Sequence, residues 1–168
     1  DSVVAATGVP AACEVACGIH DSNASYLRFL IDREREAFTV VSSGTWTIVM
    51  ANRGDLRRLR EDRDMLANVN AFGAPVATAR YMGGREYEAI ARGGEEPTID
   101  AVVDVMSRGV MALPSFASAG PYSGRSGRIE SSADLDGAEQ AALATLYSTL
   151  MSSLLIQSLG SEGEIFAD

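Results

Sequence analysis

Lysine is missing altogether: the fourteen basic residues are all arginine. A phosphate loop of the Walker type needs a lysine at a fixed place after its glycines, so that class is excluded, and no segment has its spacing either. Histidine occurs once, as His20, and cysteine twice, as Cys13 and Cys17. Two thiols with no partner cluster do not make a zinc site. Positive charge is in the minority, and the net charge is −9. General nucleic-acid and membrane-surface binding are thereby disfavoured, because both need dense positive charge. An anionic ligand is not excluded, since it responds to the local field and not to the total. No apolar run is long enough to span a membrane.

What is present fits one folded domain. A chain of 168 residues, 46% of them apolar, can bury a sizeable core. Cys13 and Cys17 are expected as buried free thiols, which with no secretory signal in sight points to a reducing compartment and the cytoplasm. Residues 2–8 read as the tail of a helix stopped by Gly8, and residues 164–168 as the opening of a strand. A chain that starts and stops inside elements is expected to be a piece of a longer protein.

The order of elements is legible. Residues 14–19 predict a short apolar strand. Asp21 or Ser22 is placed to cap the helix that follows, with Tyr26, Leu27, Leu30 and Ile31 on its buried stripe. After a charged turn at 32–36, residues 37–43 and 45–51 predict two strands around Gly44. Residues 52–64 are a charged surface excursion, 65–72 an edge strand and 76–81 another strand. Gly83-Gly84 leads into a helix over 85–91, which Gly93-Gly94 ends. Thr98 caps a further helix, with Asp100 in its first turn and Gly109 beyond it. A short apolar segment at 110–116 precedes a Gly/Ser-rich loop at 117–128. The longest helix spans about 136–159, opened by the capping-box pair Asp136 and Glu139. Its stripe of Leu143, Leu146, Tyr147, Leu150, Met151, Leu154 and Leu155 lacks a flanking basic face, which favours a core helix over a membrane-surface one. Strands followed by helices interspersed with strands predict an α/β fold, a mixed sheet covered by helices.

Two stretches carry chemistry. Asp21 stands where a strand gives way to a helix, beside His20, and ligand sites in α/β folds gather at such strand ends. It reads either as a helix cap or as a site acid. His20 and Asp21 are adjacent and so point to opposite sides of a strand, which is wrong for a Ser-His-Asp hydrolase. The second stretch is Ser42-Ser43-Gly44-Thr45, where glycine lets a ligand approach the backbone and hydroxyls with nearby amides can donate to phosphate oxygens. A plain hairpin is the alternative. Gly83-Gly84 is a helix-entry turn or the edge of a cleft.

Taken together, Gly18-Ile19-His20-Asp21-Ser22-Asn23-Ala24-Ser25 and then Ser42-Ser43-Gly44-Thr45-Trp46 resemble the FGGY carbohydrate kinases. The rhamnulose and fuculose kinases are the most similar, with a G-x-H-D segment followed by S-S-G-T-W. Met82-Gly83-Gly84-Arg85-Glu86 sits where related kinases have a Gly-Gly segment near the cleft. Gly160 and Gly163-Glu164-Ile165-Phe166 look like the lead-in to the family's adenosine-binding glycines. The resemblance implies an RNase H-like domain of the actin and hexokinase type, incomplete at both ends. Residues 1–168 would be a single domain, most of the first part of the family's C-terminal domain, without its N-terminal domain and adenosine-binding segment. It also implies Asp21 as general base, His20 and Ser22 beside it at the sugar, Ser43, Gly44 and Thr45 at the nucleotide phosphates, and Gly83 and Gly84 at the cleft. Trp46 is read as packing.

By the same resemblance the substrates are a ketose and ATP with Mg2+, no resident metal site is expected, and a homodimer is compatible. Rhamnulose kinases place Asn-Glu before the Gly-Gly where Tyr81 and Met82 stand here, which leaves the sugar open. Another actin-like phosphotransferase, and a non-catalytic member that binds a sugar or a partner, remain as rival readings. Residues 1–168 alone are expected not to turn over. ATP-dependent sugar phosphorylation by this chain, in a coupled ADP-release assay, would contradict that expectation.

Overall fold

Two β-branched runs form the centre of the sheet, as side chains stiff at χ1 favour. The computed structural model describes residues 2–10, 12–14, 16, 18–93, 95–131 and 134–168, with side chains from residue 4 onward. A short helix, α1 (Ser2–Thr7), ends at Gly8, whose φ of 70° only glycine adopts without strain. Helix α2 (Asp21–Arg33) follows. Strands β1 (Phe38–Ser42) and β2 (Thr47–Asn52) then pair antiparallel, from Phe38 opposite Asn52 to Ser42 opposite Ile48. Charged single turns at 56–58 and 61–63 lead to β3 (Met65–Val69) and β4 (Pro75–Tyr81). Helices α3 (Gly83–Ala91) and α4 (Ile99–Ser107) come next, then a small antiparallel pair, β5 (Met111–Leu113) with β6 (Arg128–Glu130). Helix α5 (Gly137–Ser158) returns the chain to β7 (Glu164–Ala167).

The main sheet has the order β3-β4-β2-β1-β7. Only the β1–β7 pair is parallel, which makes the sheet mixed. A parallel neighbour requires a crossover, and the helices α3, α4 and α5 lie within it.

Period-two alternation gives each sheet face its own core. Phe38, Val40, Met50 and Val76 point to one side and bury against Tyr26 and Leu30 of α2. Val49, Ala51, Ala77, Ala79 and Tyr81 point to the other, against α5 and its neighbours. The alanines on that face allow the long helix to sit close. Leu143, Tyr147, Met151 and Leu155 supply its buried stripe, each leucine contributing roughly 1.5–3 kcal/mol by burial. The capping box forms as its sequence predicts, with Asp136 Oδ1 accepting from the Glu139 N–H and Glu139 Oε2 from the Asp136 N–H. Beyond the helix, Gly160 takes φ 61°. No helix among the described residues is long and apolar enough to cross a membrane.

Several expectations change. Glu14, Ala16, Gly18 and Ile19 belong to no strand, because no ladder of the sheet reaches them; residues 15 and 17 lie outside the described ones. Cys13 is exposed, not buried, while Cys17 lies outside the described residues. Ile31 is 63% exposed and Leu150 67%: each lies about 100° round its helix from a buried residue, Leu30 or Met151. Arg92, not Gly93, provides the left-handed stop of α3 at φ 52°, and Gly94 is not described. The Gly/Ser-rich loop closes onto β6, a strand too short to show periodicity.

Among the described residues Glu86 is the one carboxylate fully inside the core, at 1% exposure. It accepts from the Tyr147 hydroxyl, from the Phe116 N–H at 3.3 Å and from the Ser115 hydroxyl at 3.4 Å. Burial, and then the Glu86 hydrogen bond, push the Tyr147 hydroxyl pKa well up, so it stays a donor. This network ties α3 to α5 and to the 115–117 loop.

A Cβ added at Gly83 would stand 2.0 Å from Thr47 Oγ1 and 2.9 Å from Thr47 Cβ. Gly83→Ala is therefore expected to cost about 1–3 kcal/mol as an overpacking change. Gly93→Ala, where nothing lies within 4 Å, should stay within about 0.5 kcal/mol. Urea midpoints of the two variants test this contrast.

Candidate active site

The start of α2 supplies one wall of a cleft. His20 is extended, at φ −66° and ψ 143°, and occupies the N-cap position expected of Asp21 or Ser22. Its Nδ1 lies 2.7 Å from Asp21 Oδ1 and 3.3 Å from the Ser22 amide nitrogen. One nitrogen cannot donate to the first and accept from the second. The shorter contact, to a carboxylate, decides in favour of Nδ1–H donating to Asp21. The Ser22 N–H goes to Asp21 Oδ1 at 2.7 Å, and the Ser22 hydroxyl reaches the same oxygen at 3.3 Å.

Three donors thus converge on one oxygen, and the Asp21 side chain is otherwise 91% exposed. The Ser22 N–H, followed by the charge of His20 when protonated, holds the Asp21 carboxyl below its ordinary pKa. Asp21 is a carboxylate at neutral pH, oriented by its neighbours and open to solvent on Oδ2.

The β1–β2 turn supplies the second wall. The Ser43 N–H and hydroxyl both donate to the Asp168 carbonyl, at 2.8 and 3.0 Å. Ser43 is therefore engaged in joining the turn to the end of β7. Gly44 and Thr45 are exposed. A Cβ on Gly44 would meet only the Trp46 carbonyl, at 3.7 Å. Its open surface is free for a ligand to approach.

Helix α3 clamps the turn from the far side. The Gly84 N–H donates to the Gly44 carbonyl at 3.0 Å, and a Gly84 Cβ would stand 2.6 Å from that oxygen. Gly83 is buried against Thr47. The Gly-Gly pair thus seats a helix on the turn, and only Gly84 borders open space.

His20, Asp21, Ser22, Ser43, Gly44 and Thr45 line one cleft of about 300 Å³. Six of the eight residues singled out in sequence are together, without Gly83 and Gly84. Gly84 lies across the turn, with Arg85 and Glu88, on a second opening of about 500 Å³ that shares Gly44 and Thr45. A larger apolar cavity of about 680 Å³, lined by Tyr81, Tyr87 and Ile156 among others, lies on the opposite sheet face and contains neither Asp21 nor Gly44. Among the described residues no group of three or more His, Cys, Asp or Glu is placed to hold a metal ion.

Beyond those six and Ser42, the cleft is lined by Trp46, Ile48 and Arg80, which sequence did not single out for it. Trp46, expected as packing, is half-buried and lines the cleft. Arg80 lines it too, with its guanidinium carbon 4.9 Å from the Trp46 ring centroid. The signal for Arg80 is strand register: it pairs with Ile48 and shares a face with Ser42, which sequence spacing does not reveal.

The family model of the carbohydrate kinase FGGY C-terminal domain matches residues 35–168. This chain belongs to the FGGY carbohydrate kinase family. A crystal structure of a carbohydrate kinase from Novosphingobium aromaticivorans is similar, at 32% sequence identity and a TM-score of 0.76. The match covers 99% of this chain and 40% of that one, so the chain spans well under half the length of the kinase it resembles. No curated protein matches it. Its mixed sheet covered by helices is the C-terminal-domain architecture of the actin and hexokinase-like fold.

The two residues before the Gly-Gly pair, Tyr81 and Met82, lie outside the cleft. Tyr81 is buried, and its hydroxyl donates to the Ser148 carbonyl of α5 at 3.1 Å. Met82 is the N-cap of α3. Neither lines the Asp21 cleft.

The Asp21 environment makes a pH prediction. Carbon-13 NMR of its carboxyl should give a midpoint below the ordinary 3.8. His20→Gln should move it back up, because a charge that favours the carboxylate is removed. A depressed folded-state value contributes stability above the unfolded pKa, and that contribution is lost as pH falls through the folded value. A wild-type midpoint at or above 3.8 contradicts the geometry.

Proposed function

We propose that the protein containing this chain transfers the terminal phosphoryl group of ATP to a sugar hydroxyl, with Asp21 as general base. The observation that carries this is the meeting of Asp21 and the Ser43–Thr45 turn in one cleft. A carboxylate orients the attacking hydroxyl and accepts its proton late in the transfer. Because acceptance comes late, an acid held below its usual pKa serves: it is always ionised, and strong basicity is not demanded. His20 and Ser22 hold the carboxylate from behind and flank the sugar.

Gly44 and Thr45 offer exposed backbone to the nucleotide phosphates, and Ser43 steadies the turn through its two bonds to Asp168. The cleft lining contains a single carboxylate and several hydroxyls. That set fits a magnesium ion carried on the nucleotide phosphates, which keeps most of its waters, and not a resident metal. The ion would offset phosphate charge during transfer.

The likeness of the two motifs to rhamnulose and fuculose kinases supports a ketose acceptor. Residues 1–168 are, on this reading, most of the first part of the C-terminal domain. The facing domain and the adenosine-binding segment come from chain outside them, and the enzyme acts in the cytoplasm.

Asp21→Asn in the full-length enzyme keeps the shape and removes the base. Turnover should fall by about 10²–10⁴-fold, with nucleotide affinity unchanged by calorimetry. Unchanged turnover would remove Asp21 from this role. Activity on an acceptor other than a ketose would keep the base and overturn the substrate class.

A further inference from the structure

We infer that Arg80 is the phosphoryl-binding side chain of the Asp21 cleft, receiving anionic oxygens on its two Nη groups while its central carbon sits over Trp46. The inference rests on the reading of this cleft as a phosphoryl-transfer site. Among the lining residues Asp21 is the one carboxylate and Arg80 the one permanent cation. A phosphoryl group brought beside Asp21 meets like charge, and the chain carries a net −9 besides. A cation lining the same cleft offsets that repulsion.

The guanidinium is positioned on two sides. Its Nε–H donates to Asp64 Oδ1 at 3.1 Å, and its central carbon sits over the Trp46 ring. Asp64 is itself fixed, with Oδ2 accepting from the Gly120 N–H at 2.7 Å and its carbonyl accepting from the Arg80 N–H at 3.3 Å. Among the described residues neither Nη group donates to a protein acceptor. The arrangement ties down the Nε edge of a planar fork, rests its carbon over an indole and leaves the remaining donors free. Such a fork is preorganised for two parallel bonds to phosphate oxygens, and a lysine is not. Arg85 does not compete for the role, because it opens on the other side of the Gly44–Thr45 turn. The phosphoryl group comes either from the nucleotide or from the phosphorylated sugar, and both present the same oxygens.

Trp46 is the only tryptophan of the chain, so its emission reports on this cleft. The 168-residue chain is titrated at constant ionic strength with inorganic phosphate, with ADP and with fructose 1-phosphate. A saturable change in emission is expected. Arg80→Gln should weaken the apparent affinity at least tenfold at unchanged circular dichroism. Arg80→Lys, which retains the charge beside Asp64, should recover only part of the loss. A response to ADP and not to the sugar phosphate assigns Arg80 to the nucleotide side, and the converse to the product side. Equal affinity in wild type and Arg80→Gln overturns the inference, as does wild-type emission that none of the three ligands changes. Full recovery in Arg80→Lys overturns the two-pronged contact. The outcome is separable from that of the base: loss of the role of Asp21 leaves phosphate binding at Arg80 standing, and loss of phosphate binding leaves the turnover defect of Asp21→Asn standing.

Discussion

The Ser43–Trp46 turn is held from three directions, and the geometry of the cleft depends on that hold. The end of β7 reaches it through Asp168 and Ser43, the start of α3 through Gly84 and Gly44, and β4 through Arg80 and Trp46. The first two are backbone hydrogen bonds with no side chain to rotate away. A turn fixed in this way presents exposed amides at a constant position, which loops seldom do unless a rigid scaffold supports them. The absence of Cβ atoms at Gly83 and Gly84 is what lets α3 come near enough to make its bond.

Glu86 extends that hold into the core. A buried carboxylate is costly unless its oxygens are satisfied. Here a tyrosine hydroxyl, a serine hydroxyl and a backbone N–H satisfy it, from α5 and from the 115–117 loop. The helix whose start clamps Gly44 is thereby anchored, within the same first turn, to the longest helix of the fold. Packing on one sheet face thus fixes a turn that opens on the other.

Charge is arranged differently on the two walls. Asp21 is exposed and stabilised as an anion by groups adjacent in sequence, His20 and Ser22. Arg80 is oriented by groups remote in sequence, Asp64 and Trp46. The first arrangement comes with the local chain conformation at a helix start. The second needs the sheet to be assembled. The acid and the turn could therefore be found by motif, whereas the arginine could not.

The sequence by itself determined most of the elements and the paired motifs. The β-branched runs at 38–42 and 47–52, the Asp136–Glu139 capping box and the stops at Gly8 and Gly160 are local effects of sterics and hydrogen bonding between near neighbours, so they are readable in order along the chain. The strand expected at 14–19 failed because a strand exists only where a ladder partner stands, and no local property supplies one. The exposure of Ile31 and Leu150 likewise depended on which helix face meets the sheet. Tertiary structure alone decided that Tyr81 turns to α5 while its neighbour Arg80 turns to Asp21's cleft. Successive residues of a strand point to opposite faces, and which face carries the site is set by register against β2, a long-range pairing that spacing along one chain does not encode.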